Sequence, residues 1–130
     1  MKTGFHKFIE KEDGAVTIEA TLWLPFILFF FFAIGELALV FYGQARTLEV
    51  AQDATRLISI GEIQTANETS NYISSRLSNI SNNATSWNKV DKGMITTVVS
   101  VPASDLAPFG FFTALTSFDV TVVAQQVVEF

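Results

Sequence analysis

An apolar segment from Ala20 to Tyr42 limits the folds open to this chain more than any other feature. Its 23 residues, ATLWLPFILFFFFAIGELALVFY, contain one charged side chain, Glu36. A helix needs about 20 mostly apolar residues to cross a bilayer, because each residue adds about 1.5 Å. A buried helix of a soluble protein would need an apolar shell, and the chain from Gln44 to Asn88 is polar. The segment is therefore predicted to span a membrane once.

A cleaved secretory signal peptide is the main alternative for this segment. Ala33, Ile34 and Gly35 place small residues before Glu36, as a signal peptidase site requires. The apolar stretch that ends at Gly35 is longer than the 7 to 15 residues or so of a signal peptide core. Residues 1–14, in front of it, also carry three acidic residues, Glu10, Glu12 and Asp13. These two features favour a retained membrane helix.

The residues in front of the span form a short charged leader that ends at Gly14. They continue as AVTIEA, so that Glu19 is the fifth residue after the glycine. This spacing resembles the type IV prepilin signal, which implies that a prepilin peptidase cuts between Gly14 and Ala15. The alternative is that Gly14 simply enters the helix and that Glu19 caps its first turn at the membrane interface.

Glu19 has a physical role if the chain is cut at this position. A carboxylate at the centre of a membrane helix costs about 2.5–3.5 kcal/mol, so it should be paired or lie near the interface. Cleavage creates an α-amine on Ala15, which is mostly protonated at neutral pH. Glu19 can neutralise its own amine or that of a neighbouring subunit. The resemblance to pilins implies the second option, with Glu19 as an assembly residue.

Composition argues against catalysis and against nucleic-acid binding. The chain has no cysteine, and its one histidine, His6, lies in the predicted leader. The usual zinc ligands and nucleophile pairs are therefore missing. The net charge is −5 and no basic cluster occurs. We expect a protein that is not an enzyme and that binds no metal, other cofactor or nucleic acid.

Two side chains inside the span are candidates for intramembrane contacts. Pro25 removes one backbone hydrogen bond, so a kink or a loosened turn is expected there, although membrane helices also tolerate proline without a special role. Glu36 lies 17 residues beyond Glu19, about 25 Å along a straight helix, so the two acids approach opposite membrane faces. Glu36 either extends to the interface or pairs with a partner within a complex.

The similarity extends beyond the processing motif. From Gly14 to Arg56 the chain reads GAVTIEATLWLPFILFFFFAIGELALVFYGQARTLEVAQDATR, which resembles the TadE-like family of the tight-adherence (Tad, or Flp) pilus. The resemblance implies a minor pilin or pseudopilin in pilus initiation, priming or tip structure. It implies the prepilin peptidase, the major Flp pilin, other pseudopilins and the inner-membrane assembly platform as partners. An uncleaved single-pass protein that scaffolds an envelope complex is the alternative.

The predicted fold class is α+β, with a long N-terminal transmembrane and stalk helix before a small domain that holds a short antiparallel sheet. The resemblance implies a bacterial cytoplasmic membrane, and the lysines before the span favour a cytoplasmic N-terminus. Four segments are expected: a leader over 1–14, a transmembrane helix over 15–42, a stalk helix over 43–61 and an extracytoplasmic domain over 62–130.

Helical spacing predicts two helices after the span. In the stalk, Leu48, Ala51, Ala54 and Ile58 form an apolar face opposite charged residues, and Gly61 is a plausible stop. A second helix is predicted from Asn67 to about Ile80. Its buried side is predicted to contain Tyr72, Ile73, Leu77 and Ile80. Its polar end, SNISNNATS over residues 78–86, is typical of a turn or loop.

Two strands are predicted in the C-terminal third. One is the β-branched run from Met94 to Val101, which Pro102 ends, and the other is Phe118 to Val128. Two strands are marginal alone, so they must pack on the stalk or on another subunit. Between them Phe109, Phe111 and Phe112 form an apolar cluster. It either packs into the core, which we expect, or presents a contact surface.

Overall fold

A computed structural model describes residues 3–111, 114 and 117–129 of the 130. Within these residues a long helix is followed by a small domain with an antiparallel sheet, so the predicted α+β architecture is confirmed. The helices and strands, in chain order, are α1 (Thr3–Ser59), α2 (Ala66–Leu77), β1 (Thr85–Asp91), β2 (Met94–Pro102), α3 (Ala103–Leu106) and β3 (Asp119–Val127).

The chain forms two compact units, the first ending at Gly35 and the second beginning at Glu36. In the first unit the side chains from Gly14 to Phe32 are all exposed, although most of them are apolar. The helix assignment of α1 continues through Pro25. Among the described residues, one helix is long and apolar enough to cross a membrane. Such a bare apolar surface suits contact with lipid.

In the second unit one side of α1 forms part of the core. Buried positions recur every three or four residues, as expected for a single helix face. They are Glu36, Val40, Gly43, Thr47, Val50, Ala51, Ala54, Thr55, Ile58 and Ser59. The predicted apolar face of the stalk is therefore present, with Leu48 only partly buried against the core. The buried side of the helix starts at Glu36, inside the apolar run.

Threonines are compatible with this buried face because their hydroxyl groups form hydrogen bonds with carbonyl oxygens of the same helix. The Thr47 hydroxyl donates to the Gly43 carbonyl oxygen at 2.7 Å, and the Thr55 hydroxyl donates to that of Ala51 at 2.6 Å. Each bond connects residues four apart, a pattern available to serine and threonine in helices. The apolar-only pattern read from the sequence did not include them.

The stop predicted at Gly61 is confirmed. Gly61 has a positive φ of 80°, which glycine adopts without steric cost. Its N–H donates to the Ile58 carbonyl at 3.1 Å, and the Glu62 N–H donates to the Leu57 carbonyl at 3.0 Å. This pair of bonds is the Schellman motif, which satisfies the last carbonyls of a helix.

The second helix begins at Ala66, one residue before the predicted start, and ends at Leu77 rather than at about Ile80. Thr65 caps its N-terminus in a capping box with Glu68. Ile73 and Leu77 are buried as expected. Tyr72 and Ile80 are only partly buried, although both pack against the core.

The sheet has the order β1-β2-β3, and both strand pairs are antiparallel. The two predicted strands are confirmed as β2 and β3, with bounds within one residue of those expected. Alternate residues of both face inward. The buried ones are Ile95, Thr97, Val99, Val101, Val120, Val122 and Ala124.

β1 is a strand that the hydrophobic pattern did not predict. The loop predicted over SNISNNATS is wrong for its last two residues, Thr85 and Ser86, which begin β1. β1 lies at an edge, and its side chains are all exposed or half-buried, so no apolar alternation marks it. The available signal was Lys92-Gly93. Both have positive φ, 50° and 78°, as a two-residue hairpin turn requires.

The core combines the inner face of the sheet with the buried sides of α1 and α2. The sheet therefore packs on the stalk of its own chain, the first of the two expected arrangements. The apolar surface buried between the sheet and these helices is the main source of stability for so small a domain. The Thr97 hydroxyl is buried there without a hydrogen-bond partner among the described residues.

Candidate functional site

The predicted processing residues lie on an exposed part of α1. Gly14 and Ala15 are exposed, and nothing lies within 4 Å of the point where a Cβ on Gly14 would be. Glu19 is also exposed. It lies four residues beyond Ala15, which places both on the same side of the helix one turn apart. The structure thus leaves Gly14, Ala15 and Glu19 all open, with Ala15 and Glu19 on the same face of the helix.

Glu36 has an environment that the sequence did not predict. Its side chain is 0% exposed. Its two carboxylate oxygens lie 3.2 and 3.0 Å from the backbone nitrogen of Phe111, whose N–H donates to them. A buried carboxyl group is costly unless it is hydrogen-bonded. The structure therefore shows a third arrangement beside the two expected ones, in which Glu36 binds a loop of its own domain.

The loop that supplies this N–H is held against α1 by a close contact two helical turns further on. A Cβ on Gly43 would overlap the side chain of Leu106, which is buried, so the glycine makes room for Leu106 to pack against α1. The ends of the loop are also joined, because the Ala103 N–H donates to the Phe118 carbonyl at 3.0 Å. Gly43 and Glu36 are seven residues apart and share the buried face of α1.

Asp105 fixes the outer side of α3. Its carboxylate accepts hydrogen bonds from the Ser81 hydroxyl and from the Asn83 side-chain amide, the latter at 3.2 Å. These bonds connect α3 to the turn that follows α2 and require no bound ion. Within the described part of the chain, no group of three His, Cys, Asp or Glu residues is placed to hold a metal.

The aromatic loop is only partly packed. Phe109 is 57% exposed, so the expectation of core packing is wrong for this residue. Phe111 is half-buried, and its ring centroid lies 6.3 Å from that of Phe109. Phe112 lies outside the described residues. The loop therefore keeps an aromatic surface open beside its hydrogen bond to Glu36.

The structure separates the predicted site residues into two groups. Gly14, Ala15, Glu19 and Pro25 are exposed residues of the first unit, whereas Glu36 is buried in the second. The contact that sequence reasoning missed is the hydrogen bond from the Phe111 backbone N–H to Glu36. Every residue except proline carries such a group, so no sequence signal marks it.

Comparison with known proteins agrees with the sequence resemblance. A family model described as TadE-like protein matches residues 14–56, about a third of the chain, and so confirms that resemblance. No curated protein and no solved structure matches the chain. The match associates the chain with the Tad pilus. Together with the exposed apolar helix it indicates a membrane-anchored protein related to that pilus.

Proposed function

We propose that this chain, TadE-like from residue 14 to residue 56, is a minor pilin or pseudopilin of the Tad pilus. The observation that carries the proposal is that the family match begins at Gly14, the residue at which the charged leader ends. A prepilin peptidase removes this leader. The mature protein then acts in initiation, priming or tip structure of the pilus, through assembly and not through catalysis.

The exposed helix supports an assembly role. Within the first unit, α1 exposes apolar side chains along the described residues from Val16 to Ile34. Lipid covers such a surface before assembly, and neighbouring helices cover it afterwards. In a packed bundle the Glu19 carboxylate of an incoming subunit neutralises the Ala15 amine of its neighbour, which removes two unpaired charges from an apolar environment.

The remaining elements of the proposal follow from this role. The chain is anchored in the cytoplasmic membrane with its N-terminus in the cytoplasm, where the peptidase acts, and its folded domain on the other side. The major Flp pilin and other pseudopilins pack against α1. The inner-membrane assembly platform receives the mature subunit.

N-terminal sequencing of the protein purified from cells with and without the peptidase tests the cut. We expect a start at Ala15 with the peptidase and a retained leader without it or in Gly14→Ala. A start at Met1 in cells that contain the peptidase would refute cleavage and favour the uncleaved scaffold. A start at Glu36 would identify a signal peptide instead.

Assembly is tested separately with Glu19. Glu19→Ala and Glu19→Gln are both expected to be processed but to be lost from the pilus assembly complex, because each removes the charge that pairs with the amine. Thr21→Ala is the matched control. It changes a polar residue half a turn away, whose hydroxyl donates to the Thr17 carbonyl of its own helix at 2.8 Å. Normal assembly of Glu19→Gln would contradict the charge-pairing role.

A further inference from the structure

We propose that the loop from Ala107 to Phe111 inserts into the membrane interface on the side of the folded domain, with Phe109 in contact with lipid. The domain would then rest on the bilayer through this loop as well as being attached through α1. This inference rests on the membrane anchorage of the chain and not on its role in the pilus.

The position of the loop along α1 is the first argument. The apolar run ends at Tyr42, and Glu36 lies six residues before that end, about 9 Å along the helix. The Phe111 nitrogen is 3.0 Å from the Glu36 carboxylate. The loop therefore extends alongside the last turns of the apolar run and does not stop above them.

The second argument is the surface of α1 from Leu37 to Tyr42 that the folded domain does not cover. Leu37, Leu39, Phe41 and Tyr42 are exposed, at 41%, 43%, 64% and 66%. The folded domain covers one side of these turns and leaves the remainder apolar and open. Phe109, at 57% exposure, adds to that open apolar surface. Aromatic side chains are enriched at the boundary between lipid and water.

The polar groups of the loop are the third argument. Irregular backbone near the hydrocarbon layer needs its N–H groups satisfied, since each unpaired one costs several kcal/mol. Pro108 has no N–H. The Ala107 N–H donates to the Ala103 carbonyl at 3.0 Å, and the Phe111 N–H donates to Glu36. No charged residue occurs between Asp105 and Asp119.

These observations also account for an acidic residue within the apolar run. A carboxyl group at this depth is expensive unless it is paired, and the loop supplies the pairing donor. Glu36 in turn satisfies a backbone group that the loop brings to the same depth. We prefer lipid to a second protein as the occupant of the surface, because the surface is continuous with the exposed apolar turns of the membrane-anchored helix.

Site-directed spin labelling of the full chain can locate Phe109. The sequence has no cysteine, so Phe109→Cys gives a single label in vesicles of phosphatidylethanolamine and phosphatidylglycerol. Collision with oxygen, which concentrates in lipid, is compared with collision with a water-soluble nickel chelate. Phe41→Cys is the lipid-facing reference.

Val90→Cys is the matched control, since Val90 is also 57% exposed. Val90 pairs with Ile95 and Ile95 with Gln126, and the carbonyl of the next residue, Val127, accepts a bond from Ser59 at 3.0 Å. Ser59 lies 23 residues beyond Glu36, about 35 Å along α1. The control thus lies at the far end of the domain.

We expect the ratio of oxygen to nickel collisions at position 109 to match that at position 41 and to be several-fold higher than at position 90. A ratio at 109 equal to that at 90 would overturn the proposal. So would shielding from both reagents with spin–spin broadening, which would identify a second copy of the chain as the occupant. No pilus component is present, so failure here leaves the cleavage proposal untouched.

Discussion

Replacing Glu36 with alanine is expected to release the loop that follows α3. The native carboxylate oxygens lie 3.2 and 3.0 Å from the Phe111 nitrogen, and the side chain is fully buried. The substitution removes this acceptor, and a buried donor left unsatisfied costs about 1–3 kcal/mol. Because about 1.4 kcal/mol corresponds to a tenfold change, the equilibrium for loop opening should shift by roughly 5- to 150-fold.

Hydrogen–deuterium exchange of the full chain in lipid nanodiscs measures this shift. Peptides that cover residues 107–111 should exchange faster in Glu36→Ala by a factor within that range. Peptides from β2 (Met94–Pro102) should be unchanged, because the strand is held by bonds on both sides. Glu36→Gln is the matched control. Its amide oxygen can still accept from Phe111, so its effect should be clearly smaller than that of alanine.

Two results would refute the reasoning. Unchanged exchange of the loop in Glu36→Ala would show that the carboxylate does not hold it. Equal acceleration in Glu36→Gln and Glu36→Ala would show that an oxygen acceptor at this position is not sufficient. In either case the burial of Glu36 would need a different explanation.

Three other substitutions test the folded domain. Thr97→Val removes a buried hydroxyl that has no hydrogen-bond partner in the described part of the chain. Chemical denaturation should therefore show a free energy of unfolding that is higher by about 1 kcal/mol. A lower free energy of unfolding would contradict this. Gly43→Ala should lower the free energy of unfolding by about 1 kcal/mol, because overlap with Leu106 costs ~1–3 kcal/mol and outweighs the gain in helix propensity of ~1 kcal/mol. Thermal melts should show no such loss when the same substitution is made in a Leu106→Ala background. At the N-terminus of α2, backbone N–H groups hold the pKa of Glu68 below its usual value. Its stabilisation is therefore present above the unfolded pKa and lost as pH falls through the folded one, so Glu68→Gln should melt earlier than the native protein at neutral pH but not in acid.

The parts of the fold that the sequence predicted are those with a periodic apolar pattern. Most residues of β2 from Met94 to Val101 are β-branched, and every second side chain, the one that faces inward, is buried. The stalk face and its stop at Gly61 follow equally local rules. In these segments the side chains that form the core are the ones that create the pattern.

The segments that were missed lack such a pattern. β1 is polar because it lies at an edge with both sides largely open, and its pairing depends on the turn at Lys92-Gly93. α2 ends before its apolar spacing does, since Ile80 packs against the core from the turn after the helix. Phe109 is a large apolar residue of the kind found in cores, but it is exposed. Its residue type alone does not show whether it packs in the core or lies on an apolar surface.

Glu36 shows why the candidate site was only half predictable. Its depth in the apolar run could be read from the sequence, and that depth demanded a partner. The partner is a backbone N–H 75 residues away, which only the folded loop brings near. The apolar run of 23 residues exceeds the 20 or so that a bilayer needs, and the buried face of the domain starts at Glu36. The last turns of the run therefore belong to the membrane helix on one side and to the domain core on the other, and Glu36 is where the two roles begin to overlap.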